Sequence, residues 1–231
     1  MRRHFKQATI RLGRGQTTLP TTIGIIPDGN RRFAKKYGLS YLQAYRAGYE
    51  RLKEALRWVI AEGIRHAVVY VMSHENCTNR GPFERAVLDD LLVLGLRELR
   101  DDEVVNGERI KVKVVGDLDL VSEEARREAR ALEEHTESFG GGSLHLGVCY
   151  SGEWERGLIA RGLTAPSLEA GVPQIDLVVR TGGMRRLSGF FPLQTTYAEL
   201  YFTDTLWPEF TRDELRRALE WFSQQKRNFG S

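Results

Sequence analysis

Short apolar runs alternate with longer stretches of helical periodicity along most of the chain. Ile23, Gly24, Ile25 and Ile26 form a run that Pro27, Asp28, Gly29 and Asn30 break, which predicts a buried strand. Residues 67–72, 110–115, 144–149, 175–179 and 198–202 predict five more strands. Between them, residues 31–63 read as a helix interrupted near Gly38, with Leu52, Ala55, Leu56, Val59 and Ile60 as its apolar stripe. Residues 83–100 predict a helix apolar on more than one face through Val87, Leu88, Leu91, Leu92, Val93, Leu94 and Leu96. That pattern favours a core position over the wall of an apolar cavity. Residues 122–138 give a charged helix with Glu123 and Glu124 in its first turn, and a short helix starts at Glu153. Thr211 and Glu214 form a capping box that opens a last amphipathic helix, with Leu215, Ala218, Leu219 and Phe222 inward. Residues 73–82 read as a polar loop, and 163–174 as a connection. Strand and helix alternate, so the fold class is α/β. The expectation is a single domain (residues 21–231) with a mainly parallel central sheet of about six strands flanked by helices. Residues 1–20 carry Arg2, Arg3, His4, Lys6, Arg11 and Arg14 and read as a basic, frayed tail rather than a surface-binding arm.

In open parallel sheets, ligands bind beyond the carboxyl ends of the strands. Those ends carry Asp28, residues 73–76, Gly116 and Asp117, Tyr150 and Ser151, and residues 180–188. The polar and glycine clusters therefore converge on one edge. Two of them suit phosphate: Gly29, Asn30, Arg31 and Arg32 at a helix start, and Arg180, Arg185, Arg186 and Ser188 in a glycine-rich loop. Helix N–H groups and arginine forks both bind phosphate oxygens. Pro-Asp-Gly is also ordinary turn chemistry, and each arginine alone reads as surface charge. Neither loop is a Walker A sequence and no G-x-G-x-x-G follows a strand, so a nucleotide has no positive support. Two phosphate clusters, a carboxylate able to hold Mg²⁺ against them and an unusually apolar helix suggest two phosphorylated substrates with apolar tails.

Composition narrows this only slightly. The 231 residues, 41% hydrophobic and 28% charged, suit an ordinary soluble globular protein. A net charge of +3 argues neither for nor against nucleic acid, and no basic patch with stacking aromatics is organised in the sequence. Cys77 and Cys149 give neither metal-ligand spacing nor a disulfide framework, so a reducing cytoplasmic setting is the default. No signal peptide, membrane-spanning run or repeat is visible.

Residues 25–30, Ile-Ile-Pro-Asp-Gly-Asn, resemble the opening motif of the cis-prenyltransferases, the undecaprenyl diphosphate synthase family. Residues 70–80, with Ser73, Glu75 and Asn76, resemble its second motif. Residues 176–183 with Arg186, Leu187 and Ser188 resemble its fourth, and residues 197–208 its fifth. The resemblance runs from about residue 23 to the C-terminus. It implies an apolar tunnel, lined by the helix around Leu88 and Leu96, and a homodimer. It implies repeated condensation of isopentenyl diphosphate onto an allylic diphosphate, farnesyl or geranylgeranyl. Asp28 would act in catalysis and hold Mg²⁺ with Glu199. Gly29, Asn30, Arg31 and Arg32 would cradle the allylic diphosphate. Arg180, Arg186 and Ser188 would hold isopentenyl diphosphate, and Ser73, Glu75 and Arg80 complete the substrate site. Asn76 stands at the family's proton-acceptor position, but an amide is a poor base, so it positions substrate while a diphosphate oxygen takes the proton. No nucleic-acid partner is implied; a cytoplasmic enzyme touching the membrane surface to release a lipid product is.

The chain departs from the family pattern at several of these positions. Arg31 stands where glycine is usual, and Phe33 replaces a tryptophan as an aromatic wall. Tyr41 and Tyr45 stand where arginine and histidine occur, and Cys77 replaces a tryptophan. Arg31 could supply the cation lost at 41 and 45. Arg227 to Gly230 resembles a C-terminal ending of some members with one residue too many. These departures suggest an outlying, archaeal-type member. The alternatives are a catalytically weak partner subunit of a hetero-oligomeric prenyltransferase, which the retained Asp28 and Glu199 argue against, and a polyanion- or RNA-binding protein.

Overall fold

The computed structural model describes residues 9–10 and 17–226. The basic positions at 2, 3, 4, 6, 11 and 14 and the C-terminal ending at 227–230 lie outside the described residues. Strands β1 (Thr9–Ile10) and β2 (Thr17–Thr18) pair antiparallel beside the main sheet. The other strands are β3 (Thr22–Ile26), β4 (His66–Ser73), β5 (Ile110–Val115), β6 (Gly142–Tyr150), β7 (Leu177–Arg180) and β8 (Glu199–Phe202). They form one six-stranded sheet in the order β5-β6-β4-β3-β7-β8, parallel at every pairing. The helices are α1 (Asn30–Tyr37), α2 (Tyr41–Ala61), α3 (His74–Asn79), α4 (Pro82–Asp101), α5 (Glu103–Gly107), α6 (Glu123–Thr136), α7 (Gly152–Ala160), α8 (Pro166–Glu169) and α9 (Arg212–Ser223).

Each central strand is apolar on both sides because both faces are covered. On β3, Ile23 and Ile25 enter the larger core with Ala55, Val59, Leu92, Leu96 and Leu219, while Ile26 faces Tyr70, Tyr150, Phe190 and Phe191. The strand order has a functional consequence. After β3 the chain moves to one side through β4, then returns to β3's other side as β7. The strand order therefore reverses between β3 and β7, and a crevice opens beyond their carboxyl ends. Asp28 and Arg180 stand there.

Four local features differ from the sequence expectation. Residues 73–82 are not a loop throughout: Ser73 and Asn76 close a capping box that starts α3. Asp102 accepts from the N–H groups of Val104 and Val105 and starts α5. Residues 163–174 contain the short α8. Cys77 and Cys149 form a disulfide, which overturns the reading that they give no disulfide framework and removes its ground for a reducing setting. They are 72 residues apart in sequence, but α3 packs on the end of β6 and brings their Cα atoms to 5.7 Å. Closing so long a loop stabilises the fold by about 4 kcal/mol on chain-entropy grounds.

Candidate active site

Asp28 is the second residue beyond β3. Its turn is fixed from three directions: Thr181 Oγ1 and the Trp207 N–H both donate to the Asp28 carbonyl, at 2.7 and 3.1 Å, and the Asp28 N–H reaches Ile26 at 2.9 Å. Gly29 follows with φ +123°, a conformation side chains rarely adopt, and a Cβ there would lie 3.0 Å from Leu206. The Asp28 carboxylate is shared. Its Oδ2 accepts from Arg180 Nη2 and its Oδ1 from Arg32 Nη2, each at 2.9 Å.

Arg180, the last residue of β7, has a side chain only 5% exposed. Its Nη1 donates to Ser188 Oγ at 2.9 Å and to the Arg186 carbonyl, while its buried Nε–H has no partner. A buried arginine with an open donor is poised for an anion. Ser188 holds its place with φ +51° and gives its carbonyl to the Tyr70 hydroxyl at 3.2 Å. Across the crevice, α1 begins at Gly29 without a side-chain cap, so its first N–H groups remain available to a ligand. Asn30 projects toward α2, where a Cβ on Gly48 would lie 2.2 Å from Asn30 Oδ1. Gly48 also gives its carbonyl to Trp207 Nε1 at 2.8 Å.

These groups surround a cavity of about 330 Å³. Its polar wall holds Asp28, Arg31, Arg32, Ser73, Asn76, Arg80, Arg180 and Ser188. Its apolar wall holds Leu52, Val71, Leu88, Leu91 and Leu92. A second, smaller space of about 50 Å³ lies further along the same helices, beside Leu56, Ile60 and Leu99. Helix α4 thus combines both readings of its pattern: Val93 and Leu96 are core, Leu88 and Leu91 face the cavity, and Leu92 contributes to both.

The Arg80 neighbourhood was not legible as a cluster. Glu84 Oε1 accepts from the Tyr45 hydroxyl and from Arg80 Nη1, and lies 4.0 Å from Arg31 Nε. Burial pushes the Glu84 carboxyl up, but the hydrogen bonds from Tyr45 and Arg80 and the charges of Arg80 and Arg31 outweigh it and hold it below the usual range. Burial and the bond to Glu84 push the Tyr45 hydroxyl up, so it stays a neutral donor. Arg31 stacks over the Tyr41 ring, 5.6 Å from its centroid.

Not every expected residue reaches the cavity. Asn76 does, but its Oδ1 accepts from the Ser73 N–H at 3.4 Å, so its amide N–H₂ is the group left for a ligand. Phe33 packs on Tyr37, 4.7 Å between centroids, and is not part of the wall. Tyr41 lies under Arg31 outside the lining, Glu75 is exposed in the first turn of α3, and Cys77 is buried in its disulfide. Arg186 is exposed and touches the site through its carbonyl. Glu199 does not join Asp28. It pairs in register with Leu177 at the start of β7, three residues before Arg180, whereas Asp28 lies past the strands' other end. Asp28 is the one carboxylate in the cavity lining, and among the described residues no group of three or more His, Cys, Asp or Glu is arranged for a metal. Mg²⁺ binds through one or two carboxylates plus substrate phosphates, so this donor set fits a metal shared with a phosphorylated ligand.

The chain is similar to known proteins over most of its length. A family model described as putative undecaprenyl diphosphate synthase matches residues 26–230. The chain is 38% identical over 221 residues to a tritrans,polycis-undecaprenyl-diphosphate synthase (geranylgeranyl-diphosphate specific) of Aeropyrum pernix, covering 91% of this chain and 98% of that protein. It is 33% identical over 235 residues to an isoprenyl transferase of Thermus thermophilus, covering 92% and 89%. A solved structure of lavandulyl diphosphate synthase from Lavandula x intermedia, in complex with dimethylallyl diphosphate, superposes with a TM-score of 0.81 at 26% identity, covering 92% of this chain and 99% of that one.

Proposed function

The chain belongs to the undecaprenyl diphosphate synthase family of prenyltransferases, and from that membership we propose that it elongates an allylic diphosphate with isopentenyl diphosphate. The starter we propose is geranylgeranyl diphosphate, which the relative from Aeropyrum pernix is named for. The observation that carries the reading is the placement of Asp28 between Arg32 and Arg180, at the rim of a cavity whose inner wall is apolar.

The α1 N–H groups, Arg31 and Arg32 hold the allylic diphosphate as the leaving group. Arg180 and Ser188 hold the diphosphate of the isopentenyl unit, with Arg186 on the same loop. Asp28, together with substrate diphosphate, would hold Mg²⁺, which would supply charge neutralisation for the departing diphosphate. The isopentenyl double bond attacks C1 of the allylic group as its C–O bond breaks, and a proton leaves C2 of the isopentenyl unit. The Asn76 amide orients the substrate and takes no proton, so a diphosphate oxygen is the acceptor. Leu52, Leu88, Leu91 and Leu92 exclude water and receive the growing chain. The smaller space beside Leu56 and Leu99, further along α2 and α4, supports the expected tunnel as the route of the chain. The enzyme works as a homodimer. Its lipid product leaves at the membrane surface, and no helix among the described residues is long and apolar enough to cross a bilayer.

Labelled isopentenyl diphosphate, Mg²⁺ and equal farnesyl and geranylgeranyl diphosphate test the starter. With deuterium on the geranylgeranyl starter alone, elongated products that carry the deuterium support the reading; elongated products that lack it, built from farnesyl, contradict the starter assignment.

A further inference from the structure

The disulfide joins a short helix of the cavity wall to the sheet. Helix α3 has six residues, too few to hold itself by propensity. The β4–β6 ladder that leads into it shifts register between Tyr70 and Met72 and again between Met72 and Ser73, and its last pair, Ser73 with Tyr150, carries the chain into α3. Cys149, on the neighbouring end of β6, has φ +48°, a region that non-glycine residues occupy at a cost. The bond between Cys77 and Cys149 lies here, 2% and 0% exposed, one residue after Asn76. Both cysteines pack in the main core, and the polar contacts beside them include His74 Nε2, 3.6 Å from Asp117, and Arg85 Nη1, which donates to the Cys77 carbonyl at 3.3 Å.

We propose that the Cys77–Cys149 disulfide is a positioning element of the active site: it sets α3 on the sheet so that Ser73 and Asn76 face the cavity, and turnover depends on its being closed. The proposal rests on the transferase reading. It makes the enzyme sensitive to thiol state. A dithiol reductant opens the bond by exchange: two electrons and two protons pass to the protein, giving two thiols, and the reductant becomes a disulfide.

The test compares oxidised wild type, wild type held in excess dithiol until mass spectrometry shows a gain of two hydrogens, Cys77→Ala/Cys149→Ala, and Cys77→Val/Cys149→Ala, which restores side-chain volume without the cross-link. Activity is measured well below the lowest melting temperature, where circular dichroism shows all four folded. Binding of inorganic pyrophosphate with Mg²⁺ is followed by calorimetry. The expected result is a loss of about ten-fold or more in kcat/KM for the allylic diphosphate in all three open forms, since small misplacements of positioning groups carry large rate effects. The valine variant does not recover it. A lower melting temperature with unchanged kcat/KM would overturn the proposal, as would recovery by the valine variant, or two alkylatable thiols in denatured wild type never exposed to reductant. An oxidised wild type that binds pyrophosphate but extends no allylic diphosphate would instead count against the transferase reading.

Discussion

Asp28 Oδ2 accepts from Arg180 Nη2 at 2.9 Å, across the point where the strand order reverses. With Arg32 on its other oxygen, the carboxylate is fully engaged by the cations expected to bind diphosphate. An incoming diphosphate competes for those arginines and frees Asp28 for a metal. Binding of anion and metal should therefore be cooperative. In thermal unfolding, Mg²⁺ alone should shift the midpoint little, and Mg²⁺ with inorganic pyrophosphate should shift it more than the sum of the separate effects. A full shift from Mg²⁺ alone would contradict this.

Glu84 organises Arg80 and Arg31 without lining the cavity itself. Glu84→Gln keeps the size but removes the charge that holds both guanidinium groups. The KM for the allylic diphosphate should rise about five- to ten-fold with kcat little changed, as for a positioning residue. Steady-state kinetics with that substrate varied checks it, and an unaltered KM removes Glu84 from the site.

Arg186 is exposed beside a loop whose carbonyl already touches Arg180. If it closes over isopentenyl diphosphate, Arg186→Ala should raise that substrate's KM by about ten-fold while kcat holds. No change in KM would leave Arg180 and Ser188 as the anchors.

His145 sets an acid limit on stability. It is 3% exposed on β6. Burial pushes its pKa down to about 4, and the hydrogen bond to the Ala170 carbonyl offsets only part of this. The unfolded chain takes up this proton near the ordinary value of 6.5, whereas the native state does so only near 4. Its contribution is therefore complete above the unfolded pKa and is lost as pH falls toward 4, on the order of 3 kcal/mol. Urea midpoints at about pH 7.5 and about pH 4.5 should differ, and by less in His145→Gln. An equal difference in both proteins would assign the acid sensitivity elsewhere.

The strands and the convergence of Asp28, Arg180 and Ser188 were legible because buried parallel strands read as unbroken apolar runs and their ends read as turn chemistry. What escaped depended on long-range proximity. The Cys77–Cys149 bond spans 72 residues and is visible only once α3 lies on β6. Nothing in the sequence marks Glu84 as the partner of Tyr45 and Arg80, or Gly48 as the position that Asn30 packs against. Glu199 shows the reverse: its motif is plain in sequence, but β7–β8 register puts it at the far end of the sheet from Asp28. Helix α3 was missed because polar residues suit loops, and Ser73 with Asn76 turns the same polarity into a cap.

The most direct test of the central claim is extension itself. Purified wild type and Asp28→Ala are incubated with labelled isopentenyl diphosphate, Mg²⁺ and geranylgeranyl diphosphate, and the extracted lipids are sized. Wild type should give a ladder of elongated products, and Asp28→Ala should be folded and slower by about 10³-fold. A folded wild type that extends no starter, or an Asp28→Ala variant active within a few-fold of it, would contradict the account.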